Sequence, residues 1–282
     1  MQKRVLTIQD FSCLGRCSLT VAIPTLSAAG LECVAIPTAV LSNHTAFKEW
    51  TYKDLTEEML PIVEKWKGYK NSFDYIYTGY LGTNQIPLVL KIIEELKTPR
   101  TNIVVDPAMA DNGSLYPGFE KEHISSMKAL LSKADIIVPN LTEACLLSDT
   151  PYPNKEEELS MDFYSLLLDR LQKLGPRKIV ISGQVLKKNE ISDIVYEDGE
   201  TKVYSTPCYP GRFHGTGDLF ASSLVGALGN DFSLFDAVKI AHDYVHEAIR
   251  LTNESEEDGL LYGAAFEGAI PLYIHELGKE YK

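Results

Sequence analysis

The sequence predicts an α/β protein in which a mostly parallel sheet is covered by helices on both faces. Three observations carry this reading. Short β-branched, apolar runs alternate with amphipathic stretches of helical length along the chain. Several runs, such as Ile103-Val104-Val105, are apolar throughout, the pattern of strands buried on both faces. Polar residues follow directly after many of them, where open α/β sheets bind their ligands.

In chain order, residues 5–9 form the first expected strand. Residues 18–29 form a helix stopped by Gly30, and 33–37 a second strand. Residues 56–67 open on Thr-Glu-Glu and have helical periodicity; 75–78 read as a strand and 85–96 as a helix. A strand at 103–105 ends at Asp106, a helix follows at 122–132, and 135–138 is another buried strand. Then come a helix at 162–174, a strand at 178–182, and a hairpin over 195–204 that turns at Asp198-Gly199. From Asp218 onward the chain is mostly helical, through 236–252 and again near the end. It has no internal repeat, low-complexity tract or linker, so residues 1–282 are expected to form a single domain.

Lys and Arg total 27 against 39 Asp and Glu, a net charge of −12. That charge repels phosphate backbones and anionic membranes, which excludes nucleic acid and the membrane surface as expected partners. No stretch approaches the ~20 apolar residues of a membrane span. The apolar run after Met1 is too short for a signal peptide, so a cytoplasmic location is expected. The five cysteines, Cys13, Cys17, Cys33, Cys145 and Cys208, are odd in number and widely spread, which favours reduced thiols. Cys13 and Cys17 lack the spacing and the second pair of a metal motif.

The chemistry is expected just after the strands. Gly215-Thr216-Gly217-Asp218 opens a long apolar helix, and its backbone N–H groups at the positive end of the helix dipole suit a phosphate. An acid there repels an anion unless it has another task, such as taking a proton from an attacking alcohol. The plainer reading is a helix start with Thr216 as cap and Asp218 favoured by the dipole. Asp106 and Glu143 each follow a buried strand. If those strands are neighbours, both carboxylates face one crevice, where Mg²⁺ takes one or two carboxylates, waters and substrate phosphates. No Gly-x-x-x-x-Gly-Lys-Ser/Thr is present, and no Gly-x-Gly-x-x-Gly follows the first strand, which excludes P-loop proteins and argues against dinucleotide dehydrogenases.

Asp106-Pro107-Ala108-Met109, Pro139-Asn140-x-x-Glu143 and Gly215-Thr216-Gly217-Asp218 together resemble the ribokinase superfamily. Leu41-Ser42-Asn43-His44-Thr45, Gly79-Tyr80-Leu81-Gly82 and Asp111-x-Gly113-x-Leu115-Tyr116 are similar to the pyridoxal kinase family, over nearly the whole chain. The resemblance implies a ribokinase-like three-layer α/β/α sandwich and ATP-dependent phosphorylation of the 5′-hydroxymethyl group of a B6 vitamer. It implies Asp218 as the base, with Gly215, Thr216 and Gly217 forming the anion hole. Glu143, with Asp106 through waters, is expected to organise Mg²⁺. Asn140 and Asp111 are implied near the metal and phosphates, 111–116 as a flap, and Ser182 and Gln184 at the nucleotide. Thr45 and Tyr80 are implied at the pyridine ring with His44 close by. A monovalent cation such as K⁺ and a homodimer are implied as well.

Two departures stand out. Asp10 replaces the Ser that many pyridoxal kinases carry beside the ring, with Ser12 two positions on; it either accepts from a cationic group of the substrate or caps the following loop. Ala110 stands where relatives often carry Gly. The alternatives are a hydroxymethylpyrimidine kinase, a sugar kinase, for which no sugar-clamping pattern is evident, and a non-catalytic B6- or nucleotide-binding sensor. His123, His242, His246 and His275 read as surface or packing residues.

Overall fold

The computed structural model describes residues 2–69, 72–153, 159–255 and 258–279. Its strands are β1 (Arg4–Ser12), β2 (Glu32–Leu41), β3 (Tyr52–Asp54), β4 (Tyr75–Thr78), β5 (Asn102–Val105), β6 (Ala110–Asp111), β7 (Ser114–Leu115), β8 (Ile136–Ile137), β9 (Lys178–Gln184), β10 (Glu190–Glu197) and β11 (Glu200–Pro207). Its helices are α1 (Leu19–Ala28), α2 (Thr56–Trp66), α3 (Ile86–Leu96), α4 (Lys121–Leu131), α5 (Leu141–Leu147), α6 (Met161–Gln172), α7 (Thr216–Gly229), α8 (Leu234–Glu254), α9 (Gly259–Tyr262) and α10 (Ile270–Glu276).

Nine strands form one sheet in the order β11-β10-β9-β8-β5-β4-β1-β2-β3, and β6 and β7 pair as a separate hairpin. From β9 to β2 every pairing is parallel; β3 at one edge and the β10–β11 hairpin at the other are antiparallel. Alternate strand residues feed two cores. Leu6, Ile8, Ile76, Ile103 and Val105 pack beneath α2–α6, whereas Val5, Tyr77, Val104 and Val180 pack against α1, α7, α8 and α10. This two-sided burial is why the strands lack a polar face. Chain direction reverses at β1 and β4, since β1 leads outward to β2 and β4 leads the other way to β5. Such a switch point opens a crevice at the carboxyl ends of the strands.

Most expected elements are present with shifted ends. The second strand runs past the expected stop at Pro37, because β3 pairs only with Ala39–Leu41 and leaves the outer side of Pro37 unpaired, where a missing N–H costs nothing. The expected hairpin turn is found: Asp198 and Gly199 adopt φ of 50° and 89° between β10 and β11. The hairpin β6–β7, the edge strand β3 and the short helix α5 were not expected from the sequence. The acidic run over 254–258 reads from the sequence as a solvated turn; part of it lies outside the described residues, and Asp258 caps α9. Among the described residues no helix is long and apolar enough to cross a membrane.

Candidate active site

The acidic side of the crevice is built by the start of α5. Asn140 caps that helix, its side chain accepting from Glu143 N while Glu143 Oε2 accepts from Asn140 N at 3.0 Å, a reciprocal capping box. Glu143 Oε1 accepts from Met109 N at 2.9 Å and Ala110 N at 3.4 Å, and Asn140 Nδ2 donates to Ala110 O at 2.8 Å. One carboxylate thus joins the helix start to the base of the β6–β7 hairpin. Ala110 is buried and bound at both its N–H and its C=O. Asp106 directly follows β5, and its Oδ1 accepts from Ala108 N at 3.1 Å, with Ala108 held at φ 34°. Burial pushes Glu143 up to about 7 even against three N–H donors. Burial, reinforced by the charges of Glu143 and Asp218, pushes Asp106 well above the usual carboxylate range.

The opposite side is the start of α7. Gly215 has φ 73°, and a Cβ there would lie 1.9 Å from Arg16 O, so both the turn and the close backbone approach require glycine. Gly217 faces open space instead. From Leu219 to Gly229 the helix is buried, which fixes the direction of its free N–H groups. Asp218 follows in the first turn; desolvation pushes its carboxyl up to about 7, with the Asp10 charge adding and the backbone at Ser18 opposing.

Both sides face one cavity of about 460 Å³. Among the predicted residues, Asp106, Asp111, Asn140, Glu143, Ser182, Gly215, Thr216, Gly217 and Asp218 line it. Gln184 does not. It is turned to the other face, where its Oε1 accepts from Tyr164 Oη at 3.0 Å and its Nε2 donates to Ser182 O. Regular alternation would keep Ser182 and Gln184, two apart, on one face; Gly183 at φ 71° and the register shift against β10 break it, and α6 supplies the partner on the other face.

Asp10, Ser12, His44, Thr45 and Tyr80 lie outside that lining. Asp10 is buried and accepts from the hydroxyls of Ser12 and Ser18. His44 stacks on His214, which does line the cavity. Thr45 is exposed, and Tyr80 stacks on Phe119 at 5.3 Å.

Two of the histidines read as surface or packing residues belong to the site instead. His242 and His246 both line the cavity. His242 Nδ1 pairs with Asp193 Oδ2 at 2.7 Å and its Nε2 meets Thr206 Oγ1 at 2.7 Å, while Asp193 Oδ1 accepts from Gly183 N at 2.8 Å. This relay fixes the loop end of β9 beside Ser182. The signal was available in their i, i+4 spacing on the polar face of a long amphipathic helix. His123 is fully buried and stacked on Phe119, a packing role as expected.

Residues 21–260 match the family model described as Phosphomethylpyrimidine kinase. The chain is 30% identical to the pyridoxal kinase of Homo sapiens over 79% of this chain and 76% of that protein. A Bacteroides thetaiotaomicron structure described as a phosphomethylpyrimidine kinase, solved with pyridoxal, superposes with a TM-score of 0.91 at 35% identity, covering 100% of this chain and 98% of that one. The pyridoxal kinase of Leishmania donovani in complex with ADP and pyridoxamine superposes with a TM-score of 0.87 at 25% identity, covering 97% and 96%.

Proposed function

The chain belongs to the phosphomethylpyrimidine kinase family and, within it, to the pyridoxal kinases, and from that premise we propose that it transfers the terminal phosphoryl group of ATP to the 5′-hydroxymethyl group of a B6 vitamer. The observation that carries this is one cavity with a glycine-rich helix start on one side and two buried carboxylates on the other. Backbone N–H groups of Gly215, Thr216 and Gly217 receive the phosphoryl oxygens as charge develops. Asp218 takes the alcohol proton. A carboxyl raised to about 7 is a stronger base than an ordinary one, about half ionised at neutral pH and largely ionised in mildly alkaline solution.

Asp106 and Glu143 fit Mg²⁺. Among the described residues no cluster of three or more metal-ligating side chains exists, and Mg²⁺ needs none, since it keeps waters and bridges to substrate phosphates. Glu143 spends lone pairs on backbone N–H groups, so it acts best through water, and Asp106 has only its Oδ1 engaged among the described hydrogen bonds. When bound, the ion supplies charge neutralisation at the phosphates. Asp111, Asn140 and Ser182 border the nucleotide, and Asp10, Ser12, His44, Thr45 and Tyr80 form the vitamer side. The resemblance also supports one kinase domain over 1–282, a monovalent cation, a homodimer and a cytoplasmic location.

The name of the matched family favours a second reading, a hydroxymethylpyrimidine kinase. Yet the structural relative described by that name was solved with pyridoxal. An ADP-release assay with pyridoxal, pyridoxine, pyridoxamine and hydroxymethylpyrimidine decides between them. Turnover on the vitamers supports the proposal; turnover on hydroxymethylpyrimidine alone, or on none, overturns it.

A further inference from the structure

Tyr80 lies just past β4, in the loop that leads to α3, at the switch point where β1 and β4 diverge. Two contacts tie this loop to the start of α4. The Tyr80 ring stacks on Phe119, with centroids 5.3 Å apart and planes inclined by 24°. Further along the loop, Thr83 Oγ1 pairs with His123 Nδ1 at 2.9 Å. Phe119 and His123 are themselves stacked, at 3.8 Å and 9°. His123 is fully buried and desolvation lowers its ring to about 4, so it backs Phe119 as a neutral plate. Phe119 N–H donates to Tyr116 O at 3.1 Å, which turns the chain from the cavity lining into α4.

We propose that Phe119 is a positioning residue for the vitamer, acting through Tyr80 by fixing the plane of its ring. The backbone of the Tyr80 loop is secured separately. Gly82 N–H donates to Gln85 Oε1 at 2.8 Å, and Gln85 Nε2 donates to Thr38 O at 2.9 Å. Those bonds set where the Tyr80 side chain starts, but not the direction of its half-buried ring, which two side-chain torsions leave adjustable. A flat partner holds a flat ring in an offset stack; an aliphatic one fills the space without setting the plane. A ring already held in plane has less freedom to lose when a substrate packs on it, so the gain falls on binding rather than on chemistry. The inference rests on Tyr80 belonging to the vitamer side.

Steady-state kinetics with ATP and each of pyridoxal, pyridoxine and pyridoxamine test it, with thermal melts as the check of folding. Phe119→Leu keeps apolar volume and the backbone bond to Tyr116 but removes the flat face. Vitamer KM rises by about three- to tenfold, with kcat and the KM for ATP within about twofold of wild type. Phe119→Tyr keeps the ring and returns vitamer KM to within about twofold of wild type. Should Phe119→Leu melt well below wild type, Phe119→Met fills the same gap without a ring and gives the same split. An unchanged vitamer KM in the folded variant overturns the proposal. So does a matching rise in the KM for ATP, or a rise that Phe119→Tyr shares. Tyr80→Ala separates the two levels. If it raises vitamer KM while Phe119→Leu is normal, only the Phe119 role falls; if it is normal as well, the placement of Tyr80 at the vitamer falls first. A wild-type protein that turns over none of the vitamers overturns the functional reading and this inference with it.

Discussion

His44 and His214 stack face to face, with ring centroids 3.9 Å apart and planes inclined by 15°. The pair joins the loop after β2 to the loop that opens α7. Ala46 N–H donates to His44 Nδ1 at 3.2 Å, so the ring is neutral and its Nε2–H donates to Leu261 O at 2.7 Å. Desolvation lowers both rings, His214 to about 4 with His44 adding. The unfolded chain therefore takes up protons first, near pH 6.5, and the native state loses stability as pH falls from there toward 4. His214→Phe keeps a stacked ring without titration. Urea unfolding between pH 7.5 and 5 should show about 2 kcal/mol less loss in this variant than in wild type. Equal losses in the two proteins would rule the pair out as the source.

Asp218→Asn removes the proposed base and leaves the backbone cradle intact. We expect kcat to fall by about 10²–10⁴-fold with ADP affinity nearly unchanged. In wild type, activity should rise with pH through about 7, where the raised carboxyl loses its proton. Near-normal turnover in the variant, read by ADP release, refutes the assignment.

The two sides of the cavity were unequally legible in the sequence. Asp106, Glu143 and Asp218 each follow an apolar run or open one, so local pattern and sheet topology place them together. Gln184 leaves the face of Ser182 because the positive φ of Gly183 breaks the strand's alternation, and Tyr164 from α6 holds it on the far side. The Asp193–His242 relay depends on β10 and α8 meeting 49 residues apart in sequence, a contact no local pattern reports. The strained φ of Ser18 was equally hidden, since nothing near it in sequence asks for it.

Gly215 and Gly217 should respond differently to the same change. In Gly215→Ala the new methyl meets Arg16 O in a backbone that already disfavours Cβ, so the loop must move. A loss of about 2 kcal/mol or more in stability is expected, together with loss of activity. Gly217→Ala meets nothing within 4 Å, so its melting temperature should match wild type while kcat falls, because the methyl enters the space kept for phosphate. Thermal melts and ADP release on both variants check this, and a fully stable Gly215→Ala would contradict it.

Cation binding at the acidic side should be strongly pH-dependent. Glu143 is raised to about 7, and Asp106 is pushed up by the same burial and by its carboxylate neighbours. A raised carboxyl holds its proton where an ordinary one has lost it, and Mg²⁺ together with nucleotide favours the ionised form. Affinity for Mg²⁺ with ADP should therefore climb as pH rises from 6 to 8, by about tenfold if one carboxyl is fully linked. Protons should be released on binding. Calorimetry at pH 6.5 in buffers of different ionisation enthalpy reads that release directly. Binding without proton release would mean that these carboxylates are already ionised in the free protein, and that the two acids are held apart from the cation.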